Sequence, residues 1–170
     1  MLNVLRKNKE RRQLAARLHA ALVERARRPE FFAIFGVKDT LDGRFDLVVL
    51  HAWLVLERLQ EAGAAPLSQT FVDAVFVGFD EALRELGAGD IGMGKRVKKI
   101  ADAFYGRMQA YRDAANEADM EAALTRNLYR GASEPGTKPL ARYVLGAKAQ
   151  LKVCDIENGQ LDFGPLPGME

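Results

Sequence analysis

The chain has 170 residues, 48% hydrophobic and 28% charged, enough for one domain with a sizeable core. Its 25 Lys+Arg against 23 Asp+Glu leave +2, which gives no global mandate for binding nucleic acid or an acidic polymer. A single cysteine, Cys154, excludes an internal disulfide framework, and with only His19 and His51 beside it a Cys/His zinc site lacks ligands.

The N-terminal segment is strongly basic. Residues 1–28 hold nine basic side chains (Arg6, Lys7, Lys9, Arg11, Arg12, Arg17, Arg25, Arg27, Arg28) and two acidic ones (Glu10, Glu24). Charges stand where a signal peptide needs its apolar core, so the reading is a non-secreted protein of a reducing compartment. Leu14, Leu18, Ala21 and Leu22 form a narrow stripe, which fits either a helix docked by that stripe or a helix offered to an anionic surface or partner.

Pro29 opens a short helix through Phe31, Phe32 and Phe35, with Gly36 placed to end it. Asp39, Asp42, Gly43 and Asp46 are spaced too irregularly for an EF-hand, and Asp39, Thr40 or Asp42 is the expected cap of the next helix. That helix, about 44–61, is apolar on two sides. Phe45, Val48, Val49, Ala52, Leu56 and Leu59 lie on one, and Leu47, Leu50 and Leu54, flanked by His51, on the other. Either it runs through the middle of a bundle or its second face receives a hydrophobic partner. Its run from Leu47 to Leu56, interrupted only by His51, is far short of the roughly 20 residues that span a bilayer.

Further helices are expected over 71–86, 95–115, 120–129 and 140–151, from apolar residues at helical spacing. Only 153–163, with Asn158-Gly159, offers a marginal hairpin, and the Gly- and Pro-rich end reads as mobile. The expected architecture is all-α: a single-domain helical bundle (29–152) with a basic amphipathic N-terminal helix (1–28) and a flexible C-terminal tail (153–170).

The segment from Gly87 to Arg96 matches Gly-x-Gly-x-x-Gly at Gly87, Gly89 and Gly92, and Gly-x4-Gly-Lys at Gly89, Gly94 and Lys95. Nucleotide loops leave a buried strand, whereas this one follows an amphipathic helix, and Arg96 replaces the magnesium-binding hydroxyl. The segment reads instead as a helix–loop–helix joint entered near Asp90. Lys95, Arg96, Lys98 and Lys99 then crowd the first turns of a helix, where the dipole disfavours cations unless an anion answers them. RNA phosphates, lipid headgroups and an acidic partner protein are the candidate answers. Gly106 lies opposite the apolar stripe, on the side of Lys95 and Lys99, at a cost of about 1 kcal/mol relative to alanine that close approach by another backbone would explain. Tyr105 and Arg107 border it. Catalytic chemistry has little to work with: Ser68 and Ser133 sit in no nucleophile elbow, Cys154 reads as incidental, and no catalytic residue, metal or cofactor is assigned.

With these segments in view, the chain resembles the ubiquinol-cytochrome c chaperone family over about 21–151. The resemblance rests on Ala26-Arg27-Arg28-Pro29-Glu30-Phe31-Phe32, on the run from Asp39 to Asp46 that includes Asp42, Gly43 and Arg44, and on Leu50-His51-Ala52-Trp53-Leu54-Val55. It continues through the run from Gly89 to Lys99, Phe104-Tyr105-Gly106-Arg107, and Arg126-Asn127-Leu128-Tyr129-Arg130-Gly131. Lys38 and Phe32 depart from the proline and tyrosine of many bacterial members. The resemblance implies an all-helical, non-enzymatic assembly factor for cytochrome b of the bc1 complex, acting in mitochondria with a small partner protein at the ribosome. The compact chain is similar to alphaproteobacterial members, which implies a cytoplasmic location or a peripheral one at the inner face of the cytoplasmic membrane.

On that reading Leu47, Leu50, His51, Trp53, Leu54, Tyr105, Gly106 and Arg107 would meet the client or a partner. Lys95, Arg96, Lys98 and Lys99 would meet ribosome or anionic lipid, with Asp39, Asp42, Gly43, Arg44, Asp46, Gly89, Asp90, Gly92 and Gly94 as structural motif residues and no sequence-specific DNA binding. A peripheral lipid-binding helical module without a dedicated client is the alternative, and an isoprenoid enzyme lacks the Asp-Asp-x-x-Asp clusters it would need.

Overall fold

The computed structural model describes residues 2–87 and 92–167. Among the described residues seven α-helices follow one another: α1 (Leu2–Ala26), α2 (Glu30–Ala33), α3 (Leu41–Glu61), α4 (Ala65–Glu85), α5 (Met93–Arg112), α6 (Glu117–Asn127) and α7 (Thr137–Leu151), with a 3-10 turn at Ile156–Asn158. No strand occurs among the described residues.

The doubly apolar α3 is the central element, with every residue from Val49 to Leu56 buried. It packs against α1, α4, α5, α7 and the 3-10 turn, so both of its faces are covered. Its start is set by Thr40, whose hydroxyl accepts from the Gly43 amide at 3.1 Å. Gly43 is required by a close approach: a Cβ there would overlap the Lys38 carbonyl.

Helix α1 lies on α4 and α3 through Ala15, Leu18, Leu22 and Ala26, so its stripe is a docking stripe. The imidazole of His19 rests where a Cβ on Gly78 of α4 would stand, which brings the two helices close. Before Ala15 no described residue of α1 is buried, and Val4 and Leu5 are exposed.

The expected hairpin at 153–163 does not form. Asn158-Gly159 closes the 3-10 turn instead, and the residues after it pack on the bundle through Phe163 and Leu166 rather than hanging free. The reason is an apolar residue every few positions, held by a polar tie: Arg25 donates to the Gly164 carbonyl at 2.6 Å and lies over the rings of Tyr143 and Phe163. Cys154 is buried beneath this segment.

The same tie ends inside the core. Arg25 Nε donates to the Tyr143 hydroxyl at 3.0 Å, Tyr143 donates to His51 Nε2 at 2.9 Å, and His51 Nδ1 donates to the Leu47 carbonyl at 2.7 Å. The chain of donors holds His51 neutral. Burial drops its pKa from 6.5 to about 4 and pushes Tyr143 up to about 12. Between these pH values the unfolded chain takes up a proton that the folded one refuses, so the stabilising effect is full above pH 6.5 and is withdrawn as pH falls toward 4, by about 3 kcal/mol. Urea unfolding of wild type and His51→Phe across pH 4–7 should show that extra pH-dependent loss in wild type alone.

Candidate partner-binding face

The side chains expected to shelter a client on α3 are not at the surface. Leu47, Leu50, His51, Trp53 and Leu54 are all buried, because α3 is the bundle axis and its second face is occupied. His51 is enclosed by the rings of Phe31, Tyr143 and Phe163 at 5.1–5.9 Å, and Trp53 by Tyr111 at 5.7 Å with the Lys148 ammonium over its indole. These five residues are core, which corrects their assignment as contact residues.

Arg107 is corrected in the same way. It turns inward, donating from Nε to Asp46 Oδ1 at 2.7 Å while its guanidinium covers the Phe45 ring. Arg130 reaches the other Asp46 oxygen at 2.6 Å, donates to the Asn127 carbonyl and comes within 3.9 Å of Asp42. Arg130 adopts φ +56, unfavourable for a side-chain-bearing residue, and its three contacts offset that strain. Asp46 is fully buried, and burial raises its carboxyl above the usual range against the opposing pull of Arg107 and Arg130. Asp39 pairs with Arg44 at 2.6 Å, which lowers its carboxyl pKa.

The family-like motifs that contain Asp39, Asp42, Gly43, Arg44, Asp46, Arg107 and Arg130 thus build one ionic joint linking the start of α3, the middle of α5 and the turn after α6. Gly89 and Asp90 lie outside the described residues. Gly92 and Gly94 are exposed at the start of α5, with open space around both. Gly87 follows α4 and Gly92 precedes α5, so the first glycine pattern begins after one helix and ends before the next, while Gly94 and Lys95 of the second already belong to α5.

What α5 does present is a different surface. Its Phe104, Met108 and Tyr111 are buried, whereas Lys95, Arg96, Lys98 and Lys99 are exposed and their side chains make no ion pair or hydrogen bond with any described residue. Tyr105 is 57% exposed and stacks on Phe76 of α4 at 6.2 Å. No atom lies within 4 Å of a Cβ built on Gly106, so the close approach inferred from the sequence is not supplied by the described residues.

Beside Tyr105, where α4 and α5 diverge from the end of α3, lies a groove of about 580 Å³. Leu56, Val72, Phe104 and Met108 give it an apolar floor, and Gln60, Gln69, Gln109 and Arg112 a polar rim. Sequence reasoning missed it because Val72 and Met108 sit on stripes that read as continuous core; only the angle between the helices opens it. Among the described residues no group of three or more His, Cys, Asp or Glu is placed to hold a metal, and no helix is long and apolar enough to cross a membrane.

The described residues form an all-helical domain with a groove against the second half of α5 and exposed cations in that helix's first two turns. Residues 33–158 match the family model described as Ubiquinol-cytochrome C chaperone, and the chain belongs to that family. It is similar to the ubiquinol-cytochrome-c reductase complex assembly factor 1 of Xenopus laevis, at 26% identity over 92% of this chain and 80% of that protein. The mouse assembly factor is 23% identical over 86% of this chain and 50% of its own length. The crystal structure of the Cbp3 homolog from Brucella abortus superposes with a TM-score of 0.85, at 33% identity and 99% coverage of both chains.

Two substitutions check this geometry. Asp46→Ala strands Arg107 and should cost about 3 kcal/mol or more in urea unfolding, with a double-mutant cycle against Arg107→Ala showing strong coupling. Gly106→Ala should raise stability by up to about 1 kcal/mol, read as a higher melting temperature, because its helical backbone and open surroundings accept a methyl.

Proposed function

We propose that this protein binds newly made cytochrome b and promotes its assembly into the ubiquinol-cytochrome c reductase complex, the client segment entering the groove between α4 and α5. Family membership supports the assembly role, and the observation that carries the site is the groove's composition. Half-buried Val72 offers apolar contact over a floor closed by buried Leu56, Phe104 and Met108, the glutamine rim can satisfy backbone groups of an extended or frayed segment, and Tyr105 supplies an amphipathic edge. The activity is sheltering, and no bond is made or broken. The buried α3 face leaves this groove as the apolar concavity best placed to take a client.

A second reading, a lipid-binding module, draws on exposed Val4 and Leu5 beside Arg6, Lys7 and Lys9. Against it, the cations at 6, 7, 9, 11 and 12 point to all sides of α1, whereas an interfacial helix segregates its charges from a broad apolar face.

Deletion of the gene in its host should lower assembled bc1 complex and shorten the lifetime of cytochrome b, and wild type should restore both. Val72→Glu, at a half-buried position, should fold with unchanged helicity yet reduce cytochrome b crosslinking from a photoreactive residue at position 105 by about tenfold. Normal bc1 levels in the deletion strain, with the protein floating on anionic liposomes, would replace the chaperone reading with the lipid one.

A further inference from the structure

Lys95, Lys99 and Gly106 stand four and seven residues apart, so they share one side of α5, next to but distinct from the groove wall. Along this side the helix rise puts Lys99 about 10 Å and Lys95 about 16 Å from Gly106. Among the described residues neither feature has a structural use: outside its own stretch of helix none comes within 4 Å of a Cβ at Gly106, and the lysine side chains have no partner. The glycine in mid-helix and Lys95 in the first turn are each locally unfavourable. Both become favourable if one object comes close at Gly106 and carries negative charge over Lys99 and Lys95.

The exposed Asp102 narrows what that object is, because it lies on the same track between Lys99 and Gly106. A phosphate backbone or an anionic bilayer presents continuous negative charge and would meet Asp102 with repulsion. A bilayer would also call for large apolar residues beside the lysines, and this side offers only the small Ala103 and Ala110. A protein helix can place acids at some positions and a neutral or basic residue at another.

We infer that the Lys95, Lys99 and Gly106 side of α5 docks an amphipathic helix of a partner protein, with a small residue at the crossing over Gly106 and acidic residues facing Lys99 and Lys95. The crossing is shallow. At an angle of about 20° the two axes have separated sideways by about 6 Å at Lys95, within reach of a lysine–glutamate pair, whereas at about 50° the separation is about 19 Å and the pair is lost. This surface is additional to the client groove, since an acidic amphipathic helix is not the apolar segment the groove takes.

The test uses the full chain and a fluorescent, helix-stapled peptide with alanine at its centre and glutamates seven and eleven residues from it, followed by anisotropy. A matched peptide with lysines in place of the glutamates, a poly(U) RNA and phosphatidylglycerol vesicles serve as competing probes. Saturable binding of the acidic peptide is expected, weakened by about tenfold or more in Gly106→Leu and in the double reversal Lys95→Glu/Lys99→Glu. The reversed protein should regain binding with the lysine peptide. Melting of Gly106→Leu at or above the wild-type temperature shows that its loss is not unfolding. No saturable binding of the acidic peptide, undiminished binding in Gly106→Leu, or lysine-dependent binding of RNA or vesicles without the peptide would each overturn the inference. None of these results bears on cytochrome b crosslinking through the groove, so the two proposals fail separately.

Discussion

The buried carboxylate of Asp46 is the interaction on which the arrangement of α5 depends. A charge without solvent needs partners, and this one has two, Arg107 from the middle of α5 and Arg130 from the turn after α6. The requirement is directional. Helix α5 packs on α3 and α6, while its meeting with α4 is confined largely to the rings of Phe76 and Phe79 against Phe104 and Tyr105. With so little α4 contact to orient it, α5 takes its position from the ionic joint below and the aromatic cluster beside it. The groove exists because α5 is held this way: a helix free to collapse onto α4 would bury Val72 and close the space.

A second polar device organises the opposite flank of α3. The relay from Arg25 through Tyr143 to His51 fastens α1, α7 and the C-terminal segment to one turn of the central helix. Every donor in it has an acceptor, so a neutral histidine is accommodated without an orphaned group. Asp46 and His51 are little more than one turn apart on α3, and between them they bind α1, α5, α7, the turn after α6 and the tail. A helix apolar on two sides would be free to rotate or slide among apolar neighbours; these two polar residues fix its register.

Much of this was legible in the residues. The period of the stripes placed the helices, Thr40 was among the expected caps, and the double apolar face of α3 allowed only two readings, of which the central one holds. Boundaries moved where local chemistry outweighs periodicity. Pro66 in the first turn starts α4 at Ala65, well before the stripe at Phe71, and Asn116 caps α6 four residues ahead of its first buried side chain, Met120. The tail was misread because Gly and Pro signal a break in regular structure, not an absence of contact, and Phe163 and Leu166 bring enough apolar surface to dock. Arg107 was misplaced for a different reason. Its helical position borders the exposed side, and only a buried acid on another helix turns it inward. The groove was illegible altogether, since it depends on an interhelical angle that no single helix encodes.

The distribution of burial along α4 and α5 divides each helix into two halves. Leu67, Phe71 and Val75 anchor the first half of α4, and Phe104, Met108 and Tyr111 the second half of α5. Between Phe76 and Ala103 no described residue is fully buried, although Val77, Leu86 and Val97 are apolar and exposed. A sequence under selection for stability alone would replace such residues with polar ones and Gly106 with alanine. The anchored halves supply the folding energy and also hold the groove lining, Val72 on α4 and Phe104 and Met108 on α5, while the far halves have few buried contacts to break. Gly106 stands in the anchored half and Lys95 and Lys99 in the far one, so that side of α5 runs from a fixed turn into an under-packed one, and the ionic joint from Arg107 to Asp46 secures the fixed turn.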